Sequence, residues 1–157
     1  MFRRLLPPLL VVIATQVSGQ ALAEGALCPM TDDQSSCVRI LACVGDKGRW
    51  FHGRGFGLGE GTLAGVMNDG VSCVGDWTNA NAFGVPQARV TCDDGMEVTV
   101  LYFHQNEDTG TATGRGITNR DEGVQVWTGL HVLEYFKEGS PTDAAVLKCG
   151  AYDIPIS

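Results

Sequence analysis

The chain has 157 residues, with 18 Asp and Glu against 11 Lys and Arg and a formal net charge of −7. That balance argues against nucleic acid or an anionic membrane surface as a partner, because either would repel the average face of the molecule. It also keeps a small exported domain soluble.

The first element is a secretory signal over residues 1–23. It has a basic start (Arg3, Arg4), an apolar run from Leu5 to Thr15 too short to span a bilayer, and a small-residue Ala21-Leu22-Ala23 ending. Its removal leaves 134 residues with 9 basic and 18 acidic side chains, a net charge of −9. Residues 24–157 are then one β-rich secreted domain, large enough for a hydrophobic core. No later apolar stretch approaches the roughly 20 residues of a transmembrane helix. Glu24 follows the cut and the first cysteine is Cys28, so no lipid anchor is indicated. The periplasm is the expected address, with release to the medium second.

Thr31-Asp32-Asp33-Gln34 fits a helix capping box, and the β-branched Val38, Ile40 and Val44 after it predict that a short helix passes into a strand near Ile40. Ten glycines between Gly45 and Gly75 exclude long helices there. Strands are predicted over residues 38–44, 49–56, 62–67, 71–74, 88–92, 97–104, 111–117 and 124–127. In the sixth, Val98, Val100 and Tyr102 share one face, and Glu97, Thr99, Leu101 and Phe103 the other. Asn68-Asp69-Gly70 and Asp93-Asp94-Gly95 supply hairpin turns. After Trp127, helical spacing of Val132, Tyr135 and Phe136 predicts one or two helical turns. The fold expected is mainly β, a small antiparallel barrel or sandwich with one or two short helices.

Six cysteines, Cys28, Cys37, Cys43, Cys73, Cys92 and Cys149, imply three disulfides in an exported chain. Fifteen connectivities are open. Cys73 and Cys92 flank the loop holding Trp77 and Phe83 and are the expected pair; Cys149 should tie back to one of the first three. Zinc is the competing use, but no Cys-x-x-Cys pair exists and the histidines lack paired ligand spacing, so no metal or cofactor is expected.

Phe51-His52, Gly61-Thr62, Gly65, Asn68 and Trp77 recur in order as Phe103-His104, Gly110-Thr111, Gly114, Asn119 and Trp127, at offsets of 49 to 52 residues. Cys43-Val44-Gly45-Asp46 also matches Cys73-Val74-Gly75-Asp76. An old duplication would give two similar β units packed face to face.

Trp50, His52, Trp77, His104 and Trp127 form the candidate binding surface, since aromatic walls with a few polar groups hold glycans and peptides. The plainer reading places most aromatics in the core. His52 and His104 invite an acid–base pair if the duplication brings them together. The alternative is that each turns to solvent behind an inward phenylalanine. The acidic pairs Asp32-Asp33, Asp93-Asp94, Glu107-Asp108 and Asp121-Glu122 could serve glycoside hydrolysis only if two converged across a cleft. Three of them sit beside glycine turns, where aspartate bonds the local backbone. No Gly-x-Ser-x-Gly or dinucleotide fingerprint is present, so no catalytic residue is assigned.

Cys73-Val-Gly-Asp-Trp77-Thr-Asn79 resembles the Gly-x-Trp-x-Asn opening of avidin-type biotin-binding barrels; that family's later glycine-tyrosine motif and spaced tryptophans are absent. Val90-Thr-Cys92-Asp-Asp-Gly95, residues 98–103 and Thr111-Ala-Thr-Gly114 are similar to periplasmic inhibitors of c-type lysozyme. Arg115-Gly116 stands where that family's tyrosine follows. The two show what kinds of task such a scaffold can perform; the small size, the net charge of −9 and the missing catalytic motif point to binding. The reading of the chain is therefore a disulfide-stabilised acidic domain that binds a protein or glycan in the envelope or inhibits a wall-active enzyme. A small periplasmic glycan hydrolase and a purely structural envelope protein are the alternatives.

Overall fold

A computed structural model describes Cys28, residues 31–138 and residues 140–157; the expected signal segment lies outside the described residues. Eight strands follow in order: β1 (Cys37–Val44), β2 (Arg49–Leu58), β3 (Glu60–Met67), β4 (Ser72–Thr78), β5 (Gln87–Cys92), β6 (Glu97–Gln105), β7 (Ala112–Thr118) and β8 (Gly123–Gly129). Each pairs antiparallel with its neighbour in sequence, and β8 pairs back onto β1, closing an up-and-down barrel. Closure leaves no free edge among these eight strands. No described helix is long and apolar enough to cross a membrane.

The period of two along each strand divides inside from outside. Ile40, Ala42 and Val44 of β1, Phe51 of β2, Leu63 and Met67 of β3, Val98 and Val100 of β6, and Val124 and Val126 of β8 fill the interior. Burying each larger side chain stabilises the fold by about 1.5–3 kcal/mol. Inward positions 53 and 65 are glycine, and there a Cβ would lie 2.5 Å from the Phe51 ring. The alternating glycines of β2 thus make room for a neighbour.

A second core lies outside the barrel. After β8 the chain forms α1 (Val132–Lys137) and the hairpin of β9 (Val146–Cys149) and β10 (Tyr152–Pro155). Val132, Leu147 and Cys149 cover the outward Leu41, Cys43 and Trp127, and Phe136 meets Trp127 edge-on at 5.1 Å. A six-residue helix has little intrinsic stability, so this packing holds it. The disulfide Cys43–Cys149 bolts the cover to β1; Cys73–Cys92 joins β4 to β5, and Cys28–Cys37 ties the entering chain to β1. The expected 73–92 pair and the return of Cys149 to an N-terminal cysteine are both present.

Three expectations are corrected. Residues 31–36 form turns and no helix: the Asp33 carboxylate accepts from the Ser35 N–H at 2.8 Å and the Thr31 hydroxyl at 2.7 Å, so Thr31 is not a helix cap. The β9–β10 hairpin was not predicted, its strands being four residues each. The strands close into one barrel, not two units face to face. The repeat pairs do fall on strands four apart, and Gly65 of β3 and Gly114 of β7 both face inward, but the aromatic pairs on β2 and β6 and on β4 and β8 take opposite sides. Phe51 is buried inside while Phe103 is 63% exposed outside; Trp77 packs against the interior core and Trp127 against the outer one.

The two ends of the barrel differ. At the end holding the β1–β2, β3–β4, β5–β6 and β7–β8 turns, Arg49 reaches Asp69 and Asp94 at 2.9 Å each, and Arg120 reaches Asp94 at 3.0 Å. Asn68 donates to the Gly48 carbonyl and Asn119 to that of Gly95. All four turns are tied across this end, above a floor of Met67 and Met96. The opposite end is open.

Candidate functional site: the open mouth of the barrel

At the open end lie the last residues of β2, β4, β6 and β8 and the first of β1, β3, β5 and β7. They enclose a cavity of about 480 Å³. Its apolar wall is Val38, Ile40, Leu63, Trp77 and Pro86, and Gly55 widens it, since a Cβ there would meet Ile40 at 3.3 Å. Its polar groups are Thr78, Asn79, Gln87, Tyr102, His104, Gln105 and Thr128. Among the described residues, no Asp, Glu, Lys or Arg lines it. A volume of this size suits a small molecule, and an apolar wall with a few convergent polar groups is the usual construction of such a site.

Most of these polar groups are already engaged. The Trp77 indole N–H donates to the Phe56 carbonyl at 2.9 Å, which fixes the ring. Gln87 accepts from Asn81, Gln105 donates to the Gly110 carbonyl, and Thr128 donates to the Arg39 carbonyl. Three side chains make no hydrogen bond to a described residue: Tyr102, Asn79 and His104. Tyr102 is the deepest of them, packed against the interior core. Burial pushes its phenol up to about 12, so at neutral pH it is a proton-bearing donor and acceptor with no protein partner.

A bulge aims the rim. The β6–β7 register shifts between Tyr102 and His104, with Tyr102 opposite Gly114 and His104 opposite Thr113. Phe103, His104 and Gln105 all border the cavity, and the exposed Phe103 ring lies under the Arg115 guanidinium, 5.7 Å from its centroid.

Of the five residues expected to form one binding surface, only Trp77 and His104 meet here. Trp50 and His52 stand on the outer wall of β2 with ring centroids 5.3 Å apart. Trp127 is 6% exposed beneath α1 and the hairpin, so it belongs to the outer core. His52 faces solvent behind the inward Phe51, as the plainer reading held, whereas at Phe103-His104 the sides are reversed. The acidic pairs are divided between the two ends, 32–33 and 107–108 at the mouth, 93–94 and 121–122 at the closed end. The hydrolase alternative needs two opposed carboxylates across one cleft; the four pairs are split between the ends, and none of them lines the cavity among the described residues. Tyr102, Asn79, Gln87 and Thr128 were not in the expected set. Alternation had already placed Tyr102 on one face with Val98 and Val100, and Trp77, which was in the expected set, continues the inward series Cys73-Gly75.

No protein-family model matches the chain, and no curated protein sequence matches it. Similar solved structures include a de novo designed fluorescence-activating β-barrel, at 13% identity and TM-score 0.46 over 59% of this chain and 88% of that one. Two redesigned β-barrels bound to DFHBI are also similar. One, mFAP0, has 13% identity and TM-score 0.44 over 66% of this chain and 98% of its own. The other, mFAP1, has 12% identity and TM-score 0.46 over 65% and 94%. The likeness is one of β-barrel fold.

Proposed function

We propose that this protein is an exported binding domain that holds one small, largely apolar molecule in the open mouth of its barrel. One observation carries the reading: the half-buried Tyr102, whose hydroxyl has no hydrogen-bond partner among the described residues, lines a 480 Å³ cavity with a largely apolar wall and no Asp, Glu, Lys or Arg among its described lining residues. A phenol hydroxyl both donates and accepts, so it offers a polar atom of a ligand, or a water, a partner inside the mouth. The rest of the molecule supports that use. The floor is sealed, the strands have no free edge, and three disulfides suit an oxidising compartment, with the periplasm the address the N-terminal segment implies.

The test is calorimetry with 2-naphthylmethanol, a compact aromatic with one hydroxyl. One equivalent binds with a dissociation constant on the order of 10–100 μM, the range set by the number of heavy atoms it can bury. Ala112→Phe, which fills the cavity from β7, abolishes binding. A wild-type protein that takes up neither this probe nor similar neutral aromatics contradicts the reading.

The inhibitor reading retains one observation in its favour. Phe83 is 89% exposed at the tip of the β4–β5 loop, yet the loop is well ordered by hydrogen bonds: the Asn81 carboxamide accepts from the N–H groups of Phe83 and Val85. A phenylalanine held out on a braced turn beside the mouth suits a protein partner. A pull-down from envelope extract at low salt should recover a protein with wild type and lose it with Phe83→Ala; equal recovery by both removes this reading.

A further inference from the structure

The mouth has a charge sign. The connections bordering it carry Asp32 and Asp33 before β1, Glu60 at the start of β3, and Glu107 and Asp108 between β6 and β7. Asn79–Pro86 between β4 and β5 is uncharged, and no Lys or Arg occurs in any of these connections among the described residues. The arginines in the same half of the barrel occupy outward strand positions. Arg39 donates to the Ser157 carbonyl, Arg54 stands opposite Arg39, Arg89 stands opposite Asp76, and Arg115 covers Phe103.

We propose that the molecule held in the mouth is a cationic amphiphile, with its apolar ring or chain in the cavity and an ammonium-type group at the carboxylate rim. The inference rests on the reading of the mouth as a ligand site and names the class of ligand. An anionic ligand is disfavoured twice. Among the described residues no Lys or Arg lines the cavity to neutralise a buried carboxylate, and the rim repels one on approach. A cation is favoured by the same arrangement, because apolar walls focus the field of the rim charges across the opening. The Tyr102 hydroxyl serves the inner end of the ligand, where a neutral polar atom meets it, and the rim serves the outer end. Glu60 is the nearest rim charge in register, directly opposite Thr78 of the cavity wall.

The test uses three probes with one ring system: (2-naphthylmethyl)trimethylammonium, 2-naphthylmethanol and 2-naphthylacetate, titrated calorimetrically into the full chain at low and high salt. The ammonium probe binds about tenfold tighter than the alcohol at low salt, through the summed attraction of the rim carboxylates across water. The advantage shrinks to about twofold or less near 1 M salt, where the screening length is about 3 Å. The acetate binds weakest. The triple variant Glu60→Gln, Glu107→Gln, Asp108→Asn, which leaves Asp32 and Asp33 in place, loses more than half of the ammonium preference and keeps the alcohol affinity. Alcohol binding with no ammonium preference, a preference for acetate, or an ammonium preference undiminished in the triple variant overturns the proposal while leaving the mouth a binding site. If none of the three binds, the proposal falls together with that reading.

Discussion

Phe51 and Gly65 face each other inside the barrel so closely that a Cβ at position 65 would lie 2.5 Å from the Phe51 ring and 2.3 Å from the His52 carbonyl oxygen. Because one of those neighbours is backbone, the clash cannot be relieved by a rotamer change alone. Gly65→Ala therefore destabilises the protein by about 1–3 kcal/mol, the usual cost of overpacking. Urea unfolding reads this as a lower midpoint with an unchanged slope.

The same pair shows what the sequence made legible and where it stopped. Most strands were readable because inward apolar residues recur at every second position between turn-forming residues, as in Val98-Val100-Tyr102, while β2 and β7 carry glycine at several inward positions. The side each aromatic takes was not readable. Phe51 and Phe103 sit in matching Phe-His pairs, yet one fills the core and the other lies outside, because a strand's two faces are distinguished only when the barrel closes. Trp127 is outward on its strand and buried only because α1 and a hairpin some twenty residues later are bolted over it by Cys43–Cys149. The bulge that brings His104 and Gln105 to the rim has no local signature in Tyr102-Phe103-His104.

Asp94 predicts how the closed end responds to acid. The N–H of Met96, then Arg49 and Arg120, bond its carboxylate and lower its pKa from 3.8 to about 2. A carboxyl depressed in the folded state stabilises it above the unfolded value, and that stabilisation is lost as pH falls through the folded one. The Tm should therefore drop between about pH 4 and about pH 2. In Asp94→Asn the Tm is lower at neutral pH and its fall across that window is shallower. Parallel Tm curves for the two proteins would count against this account of the closed end.

Tyr102 predicts the alkaline side. Its phenol is raised from 10.0 to about 12 by burial, so the folded protein keeps this proton after the unfolded chain has lost it. Stability consequently declines as pH rises from about 10 toward about 12. In a spectrophotometric titration Tyr102→Phe removes one phenolate transition centred near pH 12 and lessens the alkaline fall in Tm.

The disulfides should separate the barrel from its cover. Cys43–Cys149 spans 106 residues and Cys73–Cys92 spans 19, worth about 5 and about 3 kcal/mol in the chain-entropy model. Replacing the first pair by serine is the costlier change, and it speeds amide exchange at Val132 and Leu147 before that at Val98 and Val100. Simultaneous loss of protection in both sets would show that the cover and the barrel unfold as one unit.

The most direct test of the mouth as the binding site is an amide and indole chemical-shift map of the protein titrated with 2-naphthylmethanol. The account predicts concentration-dependent shifts at the Trp77 indole and at the amides of Gln87, Tyr102 and Ala112, with Arg49 and Arg120 at the closed end unmoved. Shifts confined to Trp50 and His52 on the outer wall, or spread over the closed end, would contradict it.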